Sequence, residues 1–369
     1  MFLPKTIDMA GIYVHIPFCH AKCAYCDFFS TPRMERAREV AEGIVAEYAA
    51  RRSELGGEKV TTVYFGGGTP SALDPALLSR ICSVLPMRSA DERTVEVNPE
   101  DVTRTAAESW LELGFNRVSM GLQSLVDGEL AAVGRRHDAA AALSAIATLR
   151  SAGFTNISCD LIYGLPGQTL DSWRFSLHTL LGAGIDHLSA YSLGYEQGTR
   201  LTAMLHAGKI TAVDDDTVAD MYALLCDEAR AARFDHYEIS NFARPGMRSR
   251  HNSSYWTGVP YLGLGPGAHS CDAGGVRRVG PADITRWLSV GAQVEEETDT
   301  ERLNDAIITG LRTSAGLDMS KMPAVEAEAM LSRARRHLRA GTLELRGARL
   351  CIPEQHWIVS DGIMCDLLA

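Results

Sequence analysis

Three cysteines, Cys19, Cys23 and Cys26, fall within eight residues in the spacing C-x3-C-x2-C, inside HIPFCHAKCAYCDFF (15–29). Three thiolates in one loop can hold a metal or a metal–sulfide cluster. A structural zinc site usually joins two separated knuckles, each with C-x2-C spacing, and this chain lacks that pattern. A cubane of four irons and four sulfides suits one compact loop and leaves one iron without a protein ligand. Such an iron binds something else, whereas four cysteines make a closed electron carrier. Two residues beyond Cys26 stands Phe28 rather than a fourth cysteine. The other six, Cys82, Cys159, Cys226, Cys271, Cys351 and Cys365, are scattered without ligand spacing and read mostly as core residues.

The elements that must position this loop show in the periodicity. Apolar, β-rich runs lie at 12–17, 61–67, 93–99, 116–123, 157–164, 187–195 and 236–242, with helical patterns at 34–55, 101–113, 139–152, 171–183 and 214–232 between them. Repeated β-α units predict an α/β fold with a parallel sheet and helices outside it. The unusual residues all fall at strand ends: the cysteines after the first run, GGGTP (66–70) after the second, Asn98-Pro99 at the third, Gln123 at the fourth, and Gly164-Leu165-Pro166 after the fifth. One rim collects them, as in barrel enzymes. Residues 1–243 thus read as the barrel-like part, 244–300 as a loop-rich linker, and 301–369 as a small winged-helix-like α+β module of helices 302–313 and 323–340 followed by a turn-containing pair in TLELRGARLCIP (342–353).

With 369 residues there is ample material for a large core. No window approaches the ~18–20 apolar residues of a membrane span, and MFLPKTIDMAG lacks the basic start and apolar stretch of a signal peptide, so a cytoplasmic location is expected. A net charge of −10 argues against binding nucleic acid by phosphate neutralisation, although Arg248, Arg250, Arg277 and Arg278 make one region locally basic and suited to an acidic ligand.

The cysteine spacing after a first strand, Tyr25 just before the last cysteine, and GGGTP after the second strand resemble the radical S-adenosylmethionine superfamily. The resemblance implies a partial (β/α)6-type TIM barrel, a 4Fe-4S cluster on Cys19, Cys23 and Cys26, and S-adenosyl-L-methionine chelating the open iron, to be split by an electron into a deoxyadenosyl radical. YVHIPFC, YFGGGTPS, VEVNPE, VSMGLQS, GRRHD and DLIYGLPGQT narrow it to the oxygen-independent coproporphyrinogen III oxidase group, over about residues 12–313. In that group Tyr13 and Tyr25 would lie against the cofactor. Gly67, Gly68 and Thr69 would hold its methionyl part, where Gly66–Gly68 let backbone come close. Glu96, Gln123, Arg135 and Asp160 would contact its carboxylate, ribose and amino groups. An acid suits ribose hydroxyls or an ammonium, and an arginine fork suits a carboxylate.

Two departures separate the chain from true oxidases. Those carry a further cysteine where Phe28 stands, and HNSSYW (251–256) matches the H-N-x-x-Y-W signature of the sister group of heme chaperones. That resemblance implies a protein that binds heme through His251, with Tyr255 and Trp256 as flat apolar surface and nearby arginines for propionates, and that hands it to acceptors such as respiratory cytochromes, with peripheral membrane contact left open. On residues alone, His251 reads as an ordinary loop histidine. The competing functions are the anaerobic decarboxylation of coproporphyrinogen III and a cluster-based redox or iron sensor. His15 reads as a brace for the cluster loop or a proton-transfer group, His269 as part of a glycine-rich turn that could approach a ligand, and Asp214–Asp216 as a helix cap.

Overall fold

Side chains in a strand alternate between two faces, and here the alternation sorts the chemistry. In the computed structural model, which describes residues 9–369, the apolar runs become β1 (Met9–Ile16), β2 (Lys59–Gly67), β3 (Glu92–Val97), β4 (Arg117–Gln123), β5 (Ile157–Tyr163) and β6 (His187–Ser192). Residues 1–8, on which much of the signal-peptide expectation rests, lie outside the described residues. The six strands pair in sequence order, all parallel. Ile12, Val14, Ile16, Val63, Phe65, Val95, Val97, Val118, Met120, Leu122, Cys159, Leu161 and Leu188 share one face and are buried in a single apolar cluster with the helices. The opposite face carries Tyr13, His15, Thr62, Tyr64, Glu92, Thr94, Glu96, Arg117, Ser119, Ser158, Asp160, His187 and Ser189. The fold is therefore the expected α/β partial barrel, with an unusually polar inner face.

The helices between strands start where short polar side chains accept from their free N–H groups: Thr103 from Ala106, Asp138 from Ala141, Asp214 from Thr217. Asp214 thus has its expected capping role. Thr169 and Ser172 form a reciprocal capping box at the helix Leu170–Gly182.

Two expectations are corrected at the sheet edges. The run 236–242 is not one strand but a tight antiparallel hairpin, β7 (Asp235–Glu238) and β8 (Asn241–Ala243), with β8 antiparallel to β6. Residues 244–300, read as loop-rich, carry the helices Arg250–Thr257 and Ile284–Val290 and four short strands, β9 (Tyr261–Leu264), β10 (His269–Cys271), β11 (Arg277–Val279) and β12 (Gln293–Glu295). These extend the sheet beyond β1, giving the order β12-β11-β10-β9-β1-β2-β3-β4-β5-β6-β8-β7. Strands this short carry too few residues to show a period. The C-terminal part holds helices Asp299–Leu311 and Ala324–Ala340, then β13 (Leu317–Asp318) paired with the hairpin β14 (Glu344–Arg346) and β15 (Arg349–Cys351). Its Ile307, Leu311, Met330, Trp357 and Leu367 belong to the same continuous core as Ile12 and Phe65.

Candidate functional site at the two ends of the strands

The cluster loop leaves β1 at Pro17 and is tied back at both ends. Cys19 N–H donates to Thr31 O (3.2 Å), and Ala24 N–H to Val133 O (3.0 Å). His15 does brace it: its Nε2 lies 2.9 Å from Phe29 O and its ring stacks on Phe29. The loop rests on the glycine turn after β2, where Gly68 N–H donates to Ile16 O (2.8 Å) and Thr69 N–H to Phe18 O (2.7 Å). A Cβ on Gly68 would lie 2.7 Å from Phe18 O and 2.8 Å from Ile16 O, both rigid backbone, and one on Gly67, at φ +104°, would enter the His15 ring. This is the physical need for glycine at both positions. Phe28 is 64% exposed, so position 28 faces outward.

Several expected contact residues meet around those thiols. Thr69 Oγ1 donates to Cys19 Sγ (3.3 Å) and Arg135 Nη1 to Cys23 Sγ (3.3 Å), while Asn98 joins the two, donating to Thr69 Oγ1 (3.2 Å) and accepting from Arg135 Nη2 (2.8 Å). Tyr25 is held beside Cys23 and Arg135, and burial pushes its hydroxyl well above the usual range. Gln123 ends β4 at φ +72°, next to an irregularity in the β4–β5 register, a strained turn that re-aims the chain at this rim. Burial raises Cys19, and pushes Cys26 up to about 11, so both are protonated in the protein alone. Iron ligation needs the thiolates and would release these protons.

Deeper on the inner face sit the two acids. Glu96 accepts from Tyr64 OH (2.7 Å) and from Gly67 N–H (3.2 Å), tying it to the glycine turn. Burial raises its carboxyl to about 7 and that of Asp160 to about 6, the latter against the pull of Ser189, Arg117 and Ser119. Asp160 lies mid-strand rather than at the rim, paired in register with Gly121 and Ser189. Among the described residues, Thr94 Oγ1, Asp160 Oδ1, Arg135 Nε and the Nε and Nη1 of Arg117 are buried without a hydrogen-bond partner. Buried polar atoms normally have partners, so this face fits a polar ligand with both acidic and basic demands. Sequence reading missed Tyr64, Asn98 and Arg117 as site residues; of the three only Asn98, two positions beyond Glu96, lies on the period-two spacing of an acid that was singled out.

His251 lies at the other end. The helix Arg250–Thr257 closes the floor beneath the strands: Glu92, at the start of β3, accepts from the N–H groups of Arg250 and His251 (2.9 Å each). His251 is 1% exposed, with Nδ1 2.8 Å from Thr62 Oγ1, Nε2 2.8 Å from Tyr255 OH, and its ring stacked on Tyr64. Burial lowers its pKa to about 3, so the ring is neutral. The reading of a loop histidine is thus corrected: it sits on a helix, both ring nitrogens engaged. Trp256 faces Arg312 instead. The four arginines expected to meet an acidic ligand are each already beside acids: Arg248 with Asp235, Arg250 with Asp91, Arg277 with Glu297, and Arg278 with Asp272. His269 is an exposed residue of β10 rather than part of a turn.

Two consequences can be measured. Gly68→Ala should sharply lower the iron and sulfide retained after anaerobic reconstitution, whereas Gly182→Ala, where nothing lies within 4 Å, should leave both unchanged. Glu96 has a folded-state value above its unfolded 4.5, so the fold favours its protonated form, and its contribution is full below pH 4.5 and lost as pH rises to about 7. In the ligand-free protein Glu96→Gln should therefore remove on the order of 3 kcal/mol of the stability decline across that window, read from urea midpoints; parallel declines in parent and variant would contradict the assignment.

A model of the radical SAM superfamily matches residues 13–180. The heme chaperone HemW of Mycobacterium tuberculosis is 33% identical, covering 97% of this chain and 94% of its own, and that of Bacillus subtilis is 32% identical over 85% and 86%. In mouse, the mitochondrial radical S-adenosyl methionine domain-containing protein 1 is 40% identical over 70% of this chain and 60% of its own. Among solved structures, the Escherichia coli coproporphyrinogen III oxidase HemN superposes with a TM-score of 0.83, covering 98% of this chain and 90% of its own at 22% identity, which is a likeness of fold. The chain belongs to the HemW family of the radical S-adenosylmethionine superfamily.

Proposed function

We propose that this protein is a cytoplasmic heme chaperone: it binds heme and passes it to acceptor proteins such as respiratory cytochromes, on a scaffold that carries a 4Fe-4S cluster and S-adenosyl-L-methionine. The observation that carries the reading is the similarity to heme chaperones across nearly the whole chain, and the chain's own HNSSYW at 251–256 agrees with it. Among the described residues no helix is long and apolar enough to cross a membrane.

The residues fit the cluster and its cofactor. Cys19, Cys23 and Cys26 supply three thiolates, and they are not among the groups of three ligating side chains whose donors lie within 4.8 Å of one another. Three thiolates in one loop suit a cluster whose thiolates bind different irons. Bound there, the cluster supplies an open iron and an electron. Gly67, Gly68 and Thr69 would then hold the methionyl end of the cofactor, Tyr13 and Tyr25 its flanks, and Glu96, Gln123, Arg135 and Asp160 its polar groups. Glu96, whose carboxyl burial raises to about 7, can accept from an ammonium or a hydroxyl as it ionises, and the unpartnered Nε of Arg135 can donate to a carboxylate.

For heme, His251 is the residue the family signature offers, and using it requires the floor helix to move. Freeing its ring breaks the hydrogen bonds to Thr62 and Tyr255, a cost on the order of 2 kcal/mol. A barrier of that size is within reach of a ligand's binding energy, and it would make heme loading conditional on the state of the strands above. Heme titration of the cluster-loaded protein, followed by optical difference spectra, should saturate near one heme per chain, with His251→Ala altering the bound-heme spectrum. Absence of stoichiometric binding would overturn the proposed function. A normal spectrum in the variant would instead remove His251 from the heme site.

A further inference from the structure

Away from both ends of the strands, a second group of metal-ligating side chains converges where the edge hairpin meets the C-terminal part. Among the described residues it is the one set of three His, Cys, Asp or Glu side chains whose donor atoms all lie within 4.8 Å of one another: Cys226, His236 and Glu354. Cys226 comes from the helix Asp215–Ala231, His236 from β7, and Glu354 from the short helix Glu354–Val359. Cys226 Sγ lies 3.9 Å and Glu354 Oε1 2.9 Å from the same atom, His236 Nδ1. A tetrahedral ion with metal–sulfur and metal–nitrogen bonds of about 2.3 and 2.0 Å places its ligand atoms roughly 3.3–3.8 Å apart, so small rotations of these side chains admit one.

The surroundings of the ring make the case. His236 is 6% exposed at its side chain and clamped between Phe242, stacked at 3.9 Å, and Trp357, edge-on at 4.3 Å. Both ring nitrogens face acceptors: Nδ1 the Glu354 carboxylate, and Nε2 the carbonyl of Ile239 at 3.2 Å. A neutral imidazole has one N–H and can serve only one of them. A metal on Nδ1 removes the conflict, because Nε2–H then donates to the Ile239 carbonyl, the arrangement by which ligating histidines are held in orientation. The carboxylate is supported likewise, its other oxygen 3.3 Å from Arg230 Nη2.

We propose that Cys226 Sγ, His236 Nδ1 and the Glu354 carboxylate form a zinc site that staples the C-terminal part to the hairpin edge of the barrel, with water as the fourth ligand. A soft thiolate with imidazole and carboxylate is a donor set that zinc accepts. Binding converts Cys226 from thiol to thiolate, forms the Zn–S bond and gives the proton to solvent, with no change of oxidation state.

The test uses the full chain with its cysteine-loop cluster reconstituted, freed of loose metal on a chelating resin, then titrated with zinc against a chromogenic chelator. One zinc per chain is expected in addition to the cluster iron, with unchanged iron in Cys226→Ser and His236→Gln and zinc lost from both. Glu354→Gln, at a half-exposed position that the fold tolerates, should weaken zinc at least tenfold. Cobalt added to a chain with all three loop cysteines changed to serine should give a thiolate charge-transfer band that Cys226→Ser abolishes. Failure of the cluster-loaded chain to take up zinc, or equal uptake by the parent and Glu354→Gln, would overturn the proposal. Neither result bears on heme or S-adenosylmethionine.

Discussion

Everything this fold does rests on one constraint: a parallel strand covered by helices on one face has to do something with the other. Here the outer face is ordinary, a continuous apolar layer from Ile12 through Leu188. The inner face instead buries three carboxylates, an arginine and several hydroxyls and imidazoles, groups that cost several kcal/mol each to desolvate without partners. Some are matched internally, as Glu96 is by Tyr64 and His187 is by Ser158 and Tyr237. Others are left without partners, including Asp160 Oδ1 and two nitrogens of Arg117. A fold keeps such atoms where a ligand completes them, and the raised carboxyls of Glu96 and Asp160 are the electrostatic sign of the same incompleteness.

The two ends of the strands are built differently. At the rim, backbone does the work: glycines without room for a Cβ let the cluster loop lie directly on the turn after β2, and Thr69, Asn98 and Arg135 link two of the cysteines into one network. At the floor, side chains do it. His251 bridges Thr62 and Tyr255 while Glu92 receives the start of its helix. The ring of His251 stacks on both Tyr64 and Tyr13, register partners on neighbouring strands, and Tyr64 also donates to Glu96. A change at the acids therefore has a contiguous physical route to the histidine of the heme signature.

Much of this was legible in the sequence, and the failures have physical causes. The six central strands and the cluster loop could be read because parallel strands give long apolar runs and because cysteine spacing within one loop is local information. His15 as a brace and Asp214 as a cap were likewise local. The hairpin at 235–243 was read as one strand because its turn, Ile239-Ser240, lacks the glycine or asparagine–glycine signal that marks tight turns. The floor helix was missed because its eight residues carry hydroxyls and an asparagine, poor helix formers held in place by Ser249, which accepts from Asn252, and by Glu92 from another strand. The arginines of 248–278 suggested a basic patch because they were counted apart from their acids, of which Asp235, Asp272 and Glu297 stand within twenty positions and Asp91 comes from far along the chain. The polar inner face was hidden for a related reason: each strand reads as apolar when its one or two polar residues are taken singly.

The claim at the centre is that three thiolates and this inner face together hold S-adenosylmethionine at an open iron. Electron paramagnetic resonance of the reduced, reconstituted protein, recorded before and after adding S-adenosylmethionine, addresses it directly. The account predicts that the cluster signal changes shape on addition, because the cofactor joins the iron that Cys19, Cys23 and Cys26 leave unligated. A signal unchanged at saturating S-adenosylmethionine would contradict it and would make the cluster a redox or iron sensor on a borrowed scaffold.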